Sequence, residues 1–293
     1  MTSLYSFLRD TLIVLGFTAL LWALLPAPPP YFEDKSYKCH YLEEHADDIR
    51  TLFLGNSLFE SGVDPHVLGD SLFLAASGGR IIWYDVQMAK RYLPHMPNLK
   101  MVFYPLLHCI NDLGRLDGNL PLAQSFALEY YATTQLPPPP QIAATMTLPG
   151  SSLPRIGRYV VELTVDSLGF LPLDGHPGGI LMVPNYEQKL SDSVASQLAA
   201  LAAVCRDNGV RLVVLTTPYS TEFLEGMPPA SLDSMHAVID KAQARLGDTF
   251  TIEYHDYIDH PDFRDTSLYY NWNHLNREGA RLFALRLKED FGL

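Results

Sequence analysis

Along the chain, short apolar runs that end at glycine or serine alternate with longer segments whose apolar residues recur every three or four positions. Thr51–Leu54, Ser71–Ala75, Lys100–Tyr104, Val210–Leu215 and Thr249–Tyr254 are of the first kind. Their length, apolar density and closing turns predict buried strands. Ile81–Leu93, Gln188–Asp207, Ser231–Leu246 and Arg277–Asp290 are of the second kind and predict helices. Within Gln188–Asp207, Leu190, Val194, Leu198, Leu201 and Val204 fall at helical spacing, and Asn208-Gly209 stops the run. Asn276 stands before the last helix as an N-cap. Strands that alternate with helices imply a mainly parallel sheet covered on both faces, hence an α/β domain. The rhythm lapses from Pro137 to Pro184, which holds Pro137–Pro140 and several glycines. That stretch predicts a long irregular insertion over one end of the sheet, inside the same domain.

One apolar run is too long for a strand. No charge occurs from Thr11 to Phe32, and Thr11–Leu25 (TLIVLGFTALLWALL) is almost wholly apolar. A spanning helix needs about 20 residues, roughly 17 at the short end; extended to Pro28, the run reaches the short limit. The pattern predicts a membrane anchor over residues 1–30, helical from about residue 7 to 28. A short stalk at Pro28–Pro30 then leads into one domain over residues 31–293. A cleaved export signal and a buried helix are the other readings of the run. The cleavage site ending at Ala27 is poor because Pro26 and Pro28 flank it. Arg9 before the run and Lys35 and Lys38 after it nearly balance in the positive-inside count. Short N-terminal anchors usually lead export, which puts the domain outside the cytoplasm, at the inner membrane.

Composition narrows the class. The chain has 293 residues, 18% charged, with Tyr 16 and Phe 14, which is too apolar and aromatic for a disordered chain. Its net charge of −12 argues against nucleic acid as a partner, since that needs a basic face to displace counterions. Its three cysteines (Cys39, Cys109 and Cys205) are widely spaced, with no CxxC and no Cys/His cluster, so neither a zinc site nor a disulfide scaffold is expected. They read as unpaired and buried; a Cys39–Cys109 or Cys109–Cys205 bridge is the alternative in an exported chain.

Two short motifs carry candidate chemistry. Gly55-Asn56-Ser57 follows the first predicted strand, so Ser57 lies at the C-terminal edge of the sheet, where α/β folds place their sites. The turn frees the hydroxyl and aims backbone N–H groups at the same spot, the arrangement a nucleophile beside an oxyanion hole needs. Alone, it also fits a plain turn serine. Asn271-Trp272-Asn273-His274-Leu275-Asn276 precedes the last helix, and His274 lies at the same edge if the element count holds. A histidine takes a serine proton when a third group sets its tautomer; Asn271, three residues earlier, is the natural candidate. Alone, this also fits a loop histidine among turn and cap asparagines. Asp256, Asp259, Asp262 and Asp265 lie shortly before and are other acids for that role, or a solvated acidic loop.

Taken together, the motifs resemble the SGNH/GDSL hydrolase superfamily. Leu54-Gly55-Asn56-Ser57 resembles its first block, Ala76-Ser77-Gly78-Gly79 its second, and Asn271–His274 its Asp-x-x-His block. The likeness runs from Thr51 to the C-terminus. The apolar N-terminus, Gly62-Val63-Asp64-Pro65, Thr217-Pro218-Tyr219, His274-Leu275-Asn276 and Gly279-Ala280 narrow it to membrane-anchored envelope proteins. These are relatives of the D-alanyl transfer protein DltD and partners of membrane-bound O-acyltransferases. The resemblance implies a three-layer flavodoxin-like fold behind one transmembrane helix. It implies Ser57 as nucleophile and His274 as general base, with Gly78 N–H and the Asn111 side chain as oxyanion donors. It implies no cofactor and no metal. Asn271 stands where the family has aspartate: its carbonyl can accept the Nδ1–H bond but cannot stabilise the imidazolium by charge. Three functions follow. The first is a serine esterase or O-acyltransferase acting on acyl groups of an envelope polysaccharide. The second is a non-catalytic partner of a membrane acyl-transfer or export system. The third is an unrelated α/β binding module.

Overall fold

Five strands, each three to six residues long and rich in Leu, Val and Phe, build a single parallel sheet. They are β1 (Thr51–Phe53), β2 (Leu72–Leu74), β3 (Met101–Pro105), β4 (Arg211–Thr216) and β5 (Glu253–Asp256). Their order is β2-β1-β3-β4-β5, all pairs parallel. This is a doubly wound order whose direction reverses between β1 and β3, and ligands of such sheets bind in the crevice beyond the strand ends there. The computed structural model describes residues 9, 11–17, 34–106, 127, 130, 131, 133–144, 164–175 and 192–293.

Alternation along the strands makes two cores. Leu52, Phe73, Val102, Leu212 and Val214 face one side, under α1 (Asp34–Glu44), α3 (Ile82–Tyr92), α5 (Asp192–Asp207) and α7 (Pro229–Leu246). Phe53, Leu74, Phe103, Val213 and Leu215 face the other, against α8 (Arg277–Phe291) through Phe283, Ala284 and Leu287. Each fully buried Leu, Val or Phe contributes roughly 1.5–3 kcal/mol. Shorter helices of one or two turns include α2 (Ser57–Glu60), α4 (Pro140–Ala143) and α6 (Thr221–Gly226).

The expected strands and helices are found over the described residues, Gln188 to Ser191 of the expected helix lying outside them, and two differences stand out. The fifth strand starts at Glu253, four residues beyond the expected Thr249. The Gln243 side chain of α7 takes the Phe250 carbonyl at 2.8 Å and the Ile252 N–H at 2.9 Å, so that backbone is satisfied outside the ladder. The second difference is α1, whose sequence DKSYKCHYLEE has no apolar stripe. It buries Ser36, Lys38, Cys39 and Leu42, and Lys38 is fully enclosed. A periodicity of apolar residues cannot announce a helix whose inward face is half polar.

The expected N-terminal helix is described only at Arg9 and residues 11–17. Those residues are helical, with Leu12, Ile13, Val14, Leu15 and Phe17 between 60% and 68% exposed. No helix among the described residues is long and apolar enough to cross a membrane. Within the expected insertion, residues 164–175 run along β2, the edge strand. Leu74 N–H donates to the Leu168 carbonyl at 3.0 Å, which caps an edge that would otherwise offer open ladder groups. The approach is so close that a Cβ on Gly169 (φ +83) would lie 2.2 Å from the Leu74 carbonyl oxygen. Cys39 and Cys205 are free and buried, and Cys109 lies outside the described residues.

Two outcomes follow from this architecture. Deleting residues 1–30 leaves α1 intact and is expected to preserve a single cooperative melt. Deleting residues 1–40 removes Lys38 and strands the buried Glu60 carboxylate, a loss on the order of 3–5 kcal/mol. Urea denaturation of the two truncations measures the gap, and equal stabilities would refute the enclosed role of α1. The second concerns Gly55 (φ +113), where a Cβ would meet Pro105 Cδ at 2.3 Å. Gly55→Ala is expected to cost more than the ~1–3 kcal/mol of backbone strain alone. Gly209→Ala, at φ +68 with open space around it, is expected to cost no more than that strain.

Candidate active site

The site begins with the turn after β1. Gly55 is pressed against Pro105, just past β1, and its N–H donates to Asp85 Oδ1 at 2.9 Å. Asn56 follows in an extended conformation and caps α2: its side-chain oxygen accepts the Leu58 N–H at 3.0 Å. Ser57 is thereby the first residue of the helix, a position whose N–H has no acceptor within the helix.

The second part is the loop before α8. Tyr269 and Leu275 form an antiparallel bridge, and Tyr270 N–H donates to the His274 carbonyl at 2.8 Å. Between them the chain makes a tight bend that carries Asn271 and His274. Asn276 anchors the bend from below, with its oxygen capping Gly279 N–H and its amide donating to the Ser267 carbonyl. Trp272 stacks on Phe223 of α6 at 4.5 Å, and its carbonyl accepts the Ser220 N–H, tying the bend to the loop after β4.

The two parts, 217 residues apart in sequence, meet at 2.8 Å between His274 Nε2 and Ser57 Oγ. His274 Nδ1 lies 3.0 Å from Asn271 Oδ1. The same oxygen accepts the backbone N–H groups of Asn273 at 3.2 Å and His274 at 3.0 Å. Those two donors decide the amide's orientation, because a flipped Asn271 would set its NH₂ against two N–H groups. An acceptor at Nδ1 in turn puts the ring proton on Nδ1 and leaves the Nε2 lone pair facing the Ser57 hydroxyl. Burial lowers the His274 pKa to about 4, partly opposed by the Glu60 charge, so the ring is neutral at pH 7. The arrangement can accept a proton from Ser57 in a single step.

The oxyanion side differs from what the resemblance implies. Gly78 N–H is already engaged: it donates to Glu60 Oε2 at 2.7 Å. The other oxygen, Oε1, accepts Lys38 Nζ at 2.7 Å, and Lys38 also donates to the Ala76 carbonyl. Asn111 lies outside the described residues. Asp256, Asp259 and Asp265 serve other groups: Asp256 accepts the Thr216 hydroxyl and the Ile258 N–H, Asp259 pairs with Arg264, and Asp265 caps Ser267 N–H. Asp262 lies by the ring of His260 at 3.7 Å. Among the described residues no group of three or more His, Cys, Asp or Glu could hold a metal.

Behind the Gly55 turn lies a second buried pair. Arg80 donates to Asp85 Oδ1 at 3.2 Å, with both side chains at most 1% exposed. Burial pushes the Asp85 pKa up, against the pull of Arg80 and the Gly55 N–H. Lys38, Glu60, Arg80 and Asp85 escaped the sequence reading. Only Glu60 left a usable signal: three residues after Ser57 on a helix, it shares the serine's face.

No family model matches the chain, and no curated protein matches it. Three solved structures are similar in shape. One is a Streptococcus pneumonia protein described as a candidate platelet activating factor (12% identity, 88% of this chain and 90% of that one, TM-score 0.46). The second is a candidate acylhydrolase from Bacteroides fragilis (10% identity, 86% and 94%, TM-score 0.43). The third is LAE5, an alpha/beta hydrolase enzyme from the metagenome of Lake Arreo, Spain (12% identity, 84% and 96%, TM-score 0.37). At these identities and TM-scores the functional reading rests on the site itself.

Proposed function

We propose that this chain is a serine esterase or O-acyltransferase with Ser57 as nucleophile, His274 as general base and Asn271 as its orienting group. The observation that carries the reading is the continuous line Ser57 Oγ–His274 Nε2, His274 Nδ1–Asn271 Oδ1, at 2.8 and 3.0 Å. In the reaction, the Ser57 proton passes to His274 Nε2 as Oγ bonds to the acyl carbonyl carbon. The leaving alkoxide takes that proton as its bond to the carbonyl breaks. Water or a sugar hydroxyl then attacks the Ser57 ester by the same steps in reverse. The N–H of Ser57 is the donor this chain offers the oxyanion without rearrangement, since the Gly78 N–H is taken by Glu60.

The finer reading is a membrane-tethered enzyme of the cell envelope, acting on polysaccharide acyl groups beside a membrane-bound O-acyltransferase. It is supported by the charge-free run from Thr11 to Phe32 and by the exposed apolar side chains at residues 12–15 and 17. The glycan and the partner rest on the sequence resemblance alone. One observation favours the second reading, a non-catalytic partner protein: an asparagine stands in the acid's place and a carboxylate sits on the Gly78 N–H.

Turnover of an activated ester separates the two. Asn271→Asp restores charge at the orienting position and is expected to raise kcat by ~10- to 10⁴-fold, within the range lost when a protease triad suffers the reverse change. Ser57→Ala is expected to abolish the signal in either background. No turnover in either form, with the fold intact by circular dichroism, refutes the enzyme reading for simple esters.

The pH dependence carries a second expectation. Because folding depresses the His274 pKa from 6.5 to about 4, the base stays deprotonated well into acid. The acid limb of kcat/KM is expected near pH 4. The same group binds a proton more weakly when folded, so its contribution to stability falls as pH drops from about 6.5 towards 4. An acid limb near 6.5 would show a freely solvated ring and contradict the depressed basicity.

A further inference from the structure

We propose that Glu60 is the positioning carboxylate of this site, set one helical turn from Ser57 by α2 and held by Lys38 and the Gly78 N–H, so that its charge stabilises the His274 imidazolium that Asn271 can only orient. The inference rests on the reading of Ser57 and His274 as an acyl-transfer pair. It assigns to two residues what one aspartate does elsewhere: Asn271 supplies the geometry and Glu60 the charge.

Four observations carry it. Ser57 and Glu60 are first and last residues of α2, and residues three apart on a helix share a face. Glu60 is 5% exposed, so its charge is poorly screened by water. Both its oxygens are committed, Oε1 to Lys38 and Oε2 to Gly78 N–H, each at 2.7 Å. Two short bonds of this kind hold the carboxylate in one rotamer. Finally, Glu60 is the charge that opposes the loss of basicity burial imposes on His274.

The surroundings fit a fixed carboxylate rather than a mobile one. Lys38 reaches Glu60 from α1 and is itself wholly enclosed, so a Glu60 that swung away would leave a buried ammonium unpaired. From the loop after β2, Arg80 acts on Lys38 at longer range, and Asp34 does so from the start of α1. Residues 164–175 close the remaining side through Leu171 N–H, which donates to the Glu60 carbonyl at 2.8 Å. The ammonium lies at Oε1, while Oε2 is turned to the Gly78 side of the site.

The test uses a fluorophosphonate probe on the full chain. Ser57 Oγ bonds to phosphorus, fluoride leaves with the P–F electrons, and the serine proton goes to His274 Nε2. The inactivation rate is followed from pH 3.5 to 8 in the wild type and in Glu60→Gln. Because Glu60→Gln strands Lys38, the pair is also removed together as Lys38→Met with Glu60→Gln, a change that buried ion pairs often tolerate. Thermal melts at pH 7 identify the folded variants. Loss of the charge is expected to lower the plateau rate by about tenfold and to move the acid limb below the acid end of that range, so that no limb is seen in the variants. Four results would overturn the proposal. An acid limb that rises toward 6.5 marks a loosened, hydrated histidine and a merely structural Glu60. A faster reaction marks Glu60 as an obstruction on the Gly78 N–H. An unchanged profile leaves the Ser57–His274 reading standing and removes Glu60 from it, whereas a wild type inert to the probe removes both.

Discussion

The turn at Gly55 is the constraint on which the rest of the site depends. β1 ends against the crowded side of Pro105, and only a residue without a Cβ passes there with φ at +113. The same turn offers its N–H to Asp85, which fixes the turn to the first turn of α3. A chain held at that point has one way forward. Asn56 is extended, its side chain caps the next N–H, and Ser57 opens a helix with its hydroxyl at the sheet edge. Everything that makes Ser57 more than a surface serine follows from a missing methyl group two residues earlier.

Charge is arranged around that turn in two enclosed pairs, Arg80–Asp85 behind it and Lys38–Glu60 beside it. Enclosing ions is costly, and such pairs are weak contributors to net stability. Their use here is positional. Each carboxylate accepts from a cation and from a backbone N–H, Asp85 from Arg80 and Gly55 at the one oxygen Oδ1 and Glu60 from Lys38 and Gly78 at separate oxygens, so each ties a loop at the C-terminal edge of the sheet to a helix. The loops after β1 and β2 are therefore fixed by charge-assisted bonds at the places where a reacting group would sit. His274, half-buried and neutral at pH 7, stands in the field of one of these pairs.

Asn271 shows how a weak orienter can still be a definite one. Its oxygen takes three donors: two backbone N–H groups of its own bend and the His274 ring. The amide is held in one sense by the backbone of its own loop and not by a neighbouring charge. What it lacks is the ability to favour the imidazolium, and the Glu60 carboxylate is the charge that acts on His274 in that sense.

The sequence by itself determined the layered α/β class, the strand runs and the two motif loops, because these are written locally. Apolar runs, a glycine after a strand and an asparagine before a helix act within a few residues of themselves, and Ser57, Asn271 and His274 could be named from them. It also placed the last helix and its cap at Asn276, where a short-range bond to Gly279 N–H is the whole cause. Only the tertiary structure decided the rest. Polar burial has no local signature: Lys38 lies in a helix without an apolar stripe, and its partner is 22 residues away. Residues 164–175 joined the edge of the sheet through bonds to chain more than 90 residues distant, which no periodicity reports. The engagement of the Gly78 N–H by Glu60 depends on two loops folding to the same sheet edge. An apolar pattern records which residues leave water, but which buried polar group meets which is set by the geometry of the finished fold.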